Sequence, residues 1–229
     1  MWKGFKRRVV FPNRHEAGEA LADEMTRRHL DKPIALGIPR GGVAVAFPIA
    51  KRLACPLEVL VLKKVPVPWS PEAGLGAIAL DRTLILNEPM VASLRLTPEE
   101  IEDTARKVYQ EVLRRDQLYR GGRFFPDLSG RSVILVDDGL ATGYTMLAAV
   151  EFVRRRGAEK IVVAAPVASD SAVTVLAPKV DELVILYVSD ALTFAVADFY
   201  EDFSEMQDEE VLTLLKRAAP SGAEPQPQG

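Results

Sequence analysis

The chain has one cysteine, Cys55, and two histidines, His15 and His29, among its 229 residues. A lone thiol forms no disulfide within the chain, as expected for a reducing cytosol. With no CxxC, HExxH or Cys/His cluster, a structural zinc site lacks its donors. No run of about 18 apolar residues is present to span a bilayer. The opening MWKGFKRRVVFPN is too poor in apolar residues for a signal peptide. A soluble, cytoplasmic protein is the expectation. An excess of positive charge is also lacking: 29 Lys and Arg stand against 32 Asp and Glu, and no segment is strongly basic. Binding driven by nucleic-acid phosphates is therefore disfavoured. GxxxxGK[ST] and GxGxxG are both absent, which weighs against nucleoside triphosphate and dinucleotide sites.

What is present suits one α/β domain, with 48% hydrophobic residues to build its core. Asn13 followed by Glu16 resembles a capping box and predicts a helix over about 14–30. PIALGI (33–38) reads as a buried strand ending in PRGG, followed by a helix over 43–54 bent at Pro48. LEVLVL (57–62) is the next strand. Residues 63–76, with three prolines and two glycines, read as a long loop. AIAL and TLIL around Asp81 and Arg82 predict a hairpin off the main sheet. Thr97 caps a helix over 98–119 with Ile101, Ala105, Val108, Val112 and Leu113 on its apolar face. Strands 133–136, 160–167 and 182–188 and a helix over 142–156 complete the pattern. Strands alternating with helices argue a parallel sheet with right-handed crossovers.

VILVDDGLATGYT (133–145) carries the chemistry. Its apolar strand ends at Asp137 and Asp138, where ligands sit in open parallel sheets. Residues 139–145 then lead into a helix whose first amides have no internal acceptor and favour an anion. Gly143 permits close approach, and Thr142 and Thr145 add hydroxyls. The acids would repel that anion, so they should face hydroxyls or a cation. A sugar phosphate satisfies both halves. Strands ending in Asp-Asp also occur in response-regulator-like domains and magnesium-dependent phosphatases, so the pattern alone leaves those open.

The same stretch closely resembles the phosphoribosyl-diphosphate (PRPP) motif of type I phosphoribosyltransferases, and other features follow in that family's order. IPRGG (38–42) resembles its pyrophosphate loop, often with a cis peptide that does not precede proline. Lys63, Lys64 and the proline-rich stretch resemble the flexible lid, and residues after about 189 fall at the hood over the nucleobase. PEAGLGAIALD and FYEDFSEMQDEEV resemble an uncharacterised subgroup. The implied fold is a central parallel sheet flanked by helices, with a small hood subdomain and a flexible lid loop. The implied organisation is one domain over 1–217, its core at 13–188 and its hood at 189–217, to which 1–12 could add, and a disordered tail at 218–229.

By that resemblance, Asp137 and Asp138 bind the ribose hydroxyls of PRPP. Leu140, Ala141, Thr142, Gly143, Tyr144 and Thr145 hold the 5-phosphate, and Gly139 is counted with them as PRPP-binding. Pro39, Arg40, Gly41 and Gly42 hold the diphosphate, and Arg40, Lys63 and Lys64 serve catalysis. Mg²⁺ is held mainly by PRPP and water rather than directly by the protein. The partners are PRPP and a small-molecule acceptor, with no nucleic acid or membrane and a homodimer as a candidate assembly. Ala141 stands where enzymes acting on hypoxanthine and guanine usually carry an aspartate, which makes those acceptors less favoured. Tyr144, where a small residue or lysine is usual, has no account.

Each assignment has a plain structural alternative. Arg40-Gly41-Gly42 could be an ordinary strand-to-helix turn, and Lys63 and Lys64 solvated loop charges. Trp69 could stack on a base or anchor the loop. His15 and His29 read as inert on a polar helix face, and Cys55 as a small buried hydrophobe. Arg154, Arg155 and Arg156 suit a helix C-terminus. The acidic stretch 198–210 reads as a solvated helix face or a hood wall. At the level of function, a PRPP-dependent transferase is weighed against a PRPP-binding regulator. Such regulators usually carry a DNA-binding segment, for which residues 1–12 are too short. An acid-pair phosphatase would need a nucleophile environment that is not apparent.

Overall fold

The computed structural model describes residues 10–191 and 193–218, without the side chains of 71–73. Of the tail expected at 218–229, Ala218 instead ends a helix, and 219–229, like residues 1–9, lie outside the described residues. Asn13 opens α1 (Arg14–Met25) by accepting the Glu16 amide at 3.0 Å. The helix buries Ala17, Leu21, Ala22 and Met25 along one stripe. It stops short of the expected 30 because the apolar stripe ends at Met25, and the Thr26 hydroxyl turns back onto the Asp23 carbonyl. Strand β1 (Ile34–Gly37) follows, then α2 (Gly41–Arg52) with Pro48 inside it.

The predicted strand 57–62 is divided between two sheets. Strand β2 (Leu57–Val59) pairs with β1, whereas β3 (Leu62–Val67) belongs to an antiparallel sheet with β4 (Ser70–Ala79) and β5 (Leu84–Leu86). The expected long loop at 63–76 is therefore corrected to a hairpin. Prolines masked the pattern: Leu62, Val65 and Val67 are buried between less buried Lys64 and Pro66. Strand β3 is an edge strand whose register shifts on both sides of Pro66. An edge with a bulge is where a residue without an amide hydrogen is tolerated. Helix α3 (Glu88–Leu94), not anticipated, follows, capped by Asn87. Helix α4 (Pro98–Arg120) has the full Thr97–Glu100 capping box. Of its predicted apolar positions, Ile101, Ala105, Val108 and Val112 are buried, but Leu113 is exposed.

Strands β6 (Ser132–Val136) and β7 (Lys160–Ser169) flank α5 (Tyr144–Arg155) in the chain. Short α6 (Asp170–Leu176), also not anticipated, leads to β8 (Glu182–Ser189), and α7 (Asp208–Ala218) closes the described chain. The main sheet is wholly parallel, in the order β2-β1-β6-β7-β8. Its alternating residues supply two cores. Ala35, Ile134, Val136 and Val162 pack with α1 and α2, while Ile34, Leu36, Val133 and Leu135 pack with α5. Helices on both faces of a parallel sheet leave one open edge for ligands, beyond the carboxyl ends of the strands. Among the described residues, no helix is long and apolar enough to cross a membrane.

Candidate active site

Strands β1 and β6 are neighbours, and the Ile38 amide donates to the Val136 carbonyl at 2.9 Å just beyond their paired residues. This brings the loops after the two strands together, though about a hundred residues separate them. The Pro39–Arg40 peptide is cis, and α2 begins at once with Gly41 and Gly42. A Cβ on Gly41 would lie 1.9 Å from Asp138 Oδ2, and one on Gly42 would lie 2.5 Å from the Val136 carbonyl oxygen. Only glycine allows this approach. Gly41 and Gly42 thus lie directly against the acid pair.

Asp137 and Asp138 are part-buried, and the Asp138 amide donates to Asp137 Oδ1 at 2.8 Å. Burial holds the Asp137 carboxyl well above the usual carboxylate range, and the neighbouring Asp138 charge adds to the rise. The Asp138 amide and Arg14 oppose it. Arg14 Nε donates to Asp138 Oδ2 at 2.7 Å, with side-chain exposures of 12% and 17%. The same guanidinium donates through Nη1 to the Ser204 carbonyl at 2.8 Å and lies 3.9 Å from the Phe203 ring centroid. The Tyr200 hydroxyl donates to the Asp138 carbonyl at 2.6 Å. Burial, reinforced by the charge on Asp138, raises the Tyr200 phenol so that it remains a donor.

The loop after the acids is fixed to β7. The Leu140 amide donates to the Val167 carbonyl, and the Ser169 amide donates to the Leu140 carbonyl, both at 2.9 Å. The Ser169 hydroxyl donates to the Ala141 carbonyl and accepts the Ala172 amide. Gly143, at φ +79°, turns the chain into α5. The Leu147 amide is bonded to the Gly143 carbonyl, which leaves the amides of Tyr144, Thr145 and Met146 without an acceptor inside the helix. Thr142 is exposed and Thr145 part-buried. Gly139 completes the turn between Asp138 and Leu140, against the Val196 side chain. The loop is a cup of donors beside two carboxylates.

Arg40 forms ion pairs with Glu205 and, at 3.9 Å, with Asp208 Oδ1, which also accepts the Tyr119 hydroxyl. Lys63 is tied elsewhere, to Glu111 of α4, which Lys63 in turn holds below the usual carboxylate range. Lys64 runs along Gly74 of the paired strand. Lys63 thus pairs with α4, and the Lys64 stem lies on the hairpin. Trp69 is 61% exposed at the hairpin tip. His15 is exposed beside Glu19, and His29 lies beyond α1. Cys55 is buried, which pushes its thiol up to about 11.

Sequence reasoning missed Arg14 altogether, and although it placed 198–210 at a hood wall, it did not foresee that Tyr200, Phe203, Ser204, Glu205 and Asp208 reach Asp138, Arg14 and Arg40. A signal existed for Arg14. A cation in the first turn of a helix opposes the macrodipole and calls for an acidic partner from elsewhere.

The fold is a parallel sheet flanked by helices, with an acid pair and a loop leading into a helix N-terminus beyond one strand. Residues 13–180 match the family model described as "Phosphoribosyl transferase domain". The chain belongs to the phosphoribosyl transferase family. It is 41% identical over 209 residues to "Putative phosphoribosyl transferase Rv0571c" of Mycobacterium tuberculosis strain H37Rv, covering 91% of this chain and 47% of that protein. The chain thus spans about half the length of the curated relatives it matches. The crystal structure of TT1426 from Thermus thermophilus superposes with a TM-score of 0.77 at 38% identity, covering 93% of this chain and all of that one. A shorter likeness, 44% identity over 61 residues, links 26% of this chain to 22% of the ribose-phosphate pyrophosphokinase of Pyrococcus furiosus.

Proposed function

We propose that the chain binds PRPP and transfers its phosphoribosyl group to a nitrogen of a small, base-like acceptor, releasing pyrophosphate. The observation that carries this reading is the contact of Gly41 with Asp138, which joins two loops suited to opposite ends of one ligand. Asp137 and Asp138 take the ribose hydroxyls. The amides and hydroxyls of Gly139 to Thr145 take the 5-phosphate, and Pro39 to Gly42 take the diphosphate, with Arg40 as its cationic partner. Residues 189–217 act as the hood over the acceptor.

The oxygen donors of the site suit a hard cation, and Mg²⁺ bound mainly through PRPP oxygens and water would neutralise the leaving diphosphate. The bond from C1 to the diphosphate breaks as the acceptor nitrogen forms its own bond to C1, through an oxocarbenium-like state. The protein's part is to align the two reactants and to stabilise the departing oxygens with Arg40 and backbone amides. Lys63, paired with Glu111, would leave that partner to reach the diphosphate, and both it and Lys64 keep the catalytic role proposed for them. Ala141 leaves no side-chain carboxylate in the loop to manage a purine N7 proton, which favours acceptors other than hypoxanthine and guanine.

Calorimetric titration should show Mg²⁺-dependent PRPP binding that adenosine triphosphate does not reproduce. Incubation with PRPP, Mg²⁺ and a panel of bases should then release pyrophosphate with at least one base. Absence of PRPP binding at millimolar concentration would overturn the proposal. Binding without pyrophosphate release from any base would instead favour a PRPP-binding regulator.

A further inference from the structure

We infer that Arg14 is a positioning residue, which fixes the Asp138 carboxylate for the ribose and ties its orientation to the C-terminal segment. This rests on the assignment of the acid pair to sugar hydroxyls. Arg14 lies 124 residues from Asp138 in sequence, on a different element, yet its Nε reaches one carboxylate oxygen, Oδ2, at 2.7 Å. With Oδ2 engaged, Oδ1 is the oxygen through which Asp138 would meet a hydroxyl.

The guanidinium is itself held on several sides. Its Nη1 donates to the Ser204 carbonyl at 2.8 Å, Phe203 lies 3.9 Å beneath it, and its Nε would lie 2.8 Å from a Cβ on Gly41. A planar fork can hold Asp138 and Ser204 together, which a lysine ammonium on a flexible stem does poorly. The Tyr200 hydroxyl binds the Asp138 carbonyl from the same C-terminal segment. Side chain and backbone of Asp138 are therefore both fixed from residues 200–204.

Placement in the first turn of α1 also needs an explanation. There the helix dipole disfavours a cation, and the position is accounted for by the carboxylate it meets. An ion pair serving stability alone would not need to sit on the acid at the mouth of the anion loop. Arg14 also offsets part of the repulsion between the adjacent carboxylates, since its charge acts on Asp137 as well.

The test compares inorganic phosphate with ribose 5-phosphate in calorimetric titrations of the full chain. Phosphate reads the donor loop alone, and the gap between the ligands reads what the acid pair adds. In Arg14→Met, phosphate affinity should be retained while the gap narrows about tenfold, the size of one charge-assisted bond. Arg14→Lys should recover part of the gap. Phe203→Leu, which keeps the arginine but removes the ring under it, should narrow the gap less than Arg14→Met and carries the test if that variant does not fold. A wild-type gap in Arg14→Met, or equal loss of both ligands in a folded protein, would overturn the positioning role. If wild-type protein shows no gap, the sugar assignment of the acid pair falls first.

Discussion

Arg40 and Glu205, 165 residues apart, form an ion pair across the mouth of the site, and Asp208 approaches the same guanidinium at 3.9 Å. Two carboxylates thus occupy a cation that the proposed function assigns to a diphosphate. Glu205 is largely exposed, so its pair with Arg40 is worth only about 0.2–1 kcal/mol. A diphosphate must displace it. Glu205→Gln should therefore tighten binding of inorganic pyrophosphate by about 1.4-fold to fivefold. Calorimetry with pyrophosphate and Mg²⁺ checks this, and equal or weaker binding would mean that the carboxylate does not compete.

Asp137 gives a prediction about stability and pH. Its carboxyl is raised in the folded protein by burial and by Asp138, so folding favours its protonated form. The favourable contribution is fully present below the unfolded carboxylate pKa and is lost as pH rises through the folded value. Asp137→Asn can keep the acceptor oxygen for the Asp138 amide without carrying the charge. The variant should melt a few degrees above wild type near pH 7, since about 1 kcal/mol shifts Tm by roughly 2–4 °C at this size. That advantage should vanish near pH 4. Thermal melts across this range decide it, and a variant less stable than wild type at neutral pH would count against the account. Its PRPP affinity should fall about 10- to 150-fold with the loss of a charge-assisted hydroxyl contact.

Much of the parallel sheet was legible because its strands are short apolar runs between helices with clear caps. Asn13 and Thr97 cap the helices they were expected to cap. The acid pair and the glycine-containing loop after it were legible as a strand-to-helix connection because one continuous stretch carries them. The partners of that stretch were not. Arg14 and Tyr200 reach Asp138, and Ser204 reaches Arg14, only through the packing of α1 and the C-terminal segment against the sheet, and no local pattern records such contacts. The hairpin at β3 and β4 was hidden because Pro66 and Pro68 read locally as loop. In the structure, a bulge in the edge strand accommodates Pro66, and Pro68 lies in the turn that joins β3 to β4.

Cys55 lies buried just before β2, where burial raises its thiol to about 11. Thiolate is the reactive form, so little is available at neutral pH. The native chain should resist iodoacetamide at pH 8 and react once unfolded in denaturant. Mass spectrometry of the labelled protein reads the outcome. Rapid labelling of native protein would place Cys55 at an accessible position instead.

The hairpin changes what is expected of residues 63–76. Leu62, Lys63, Lys64 and Val65 are paired with Ala79, Ile78, Ala77 and Gly76, and Val65, Leu75 and Ile78 are buried. Lys63 is further held by Glu111 on α4. A protease needs an extended, locally opened segment, and opening here breaks both the ladder and its buried contacts. Trypsin should therefore cut the free protein after Arg123, in the exposed turn beyond α4, well before it cuts at Lys63 or Lys64. Any closing motion would have to carry the hairpin as a unit or involve its tip at Trp69. Glu111→Gln removes an exposed ion pair worth at most about 1 kcal/mol, so it should speed cleavage at Lys63 by no more than about fivefold. Replacing 66–74 by a short Gly-Ser linker should lower turnover more than PRPP affinity, because the anion loop lies on other elements. A tryptic time course read by mass spectrometry checks the order of cuts. Cleavage at Lys63 and Lys64 ahead of Arg123 in the free protein would show that the ladder opens readily, and the segment would again behave as a loop.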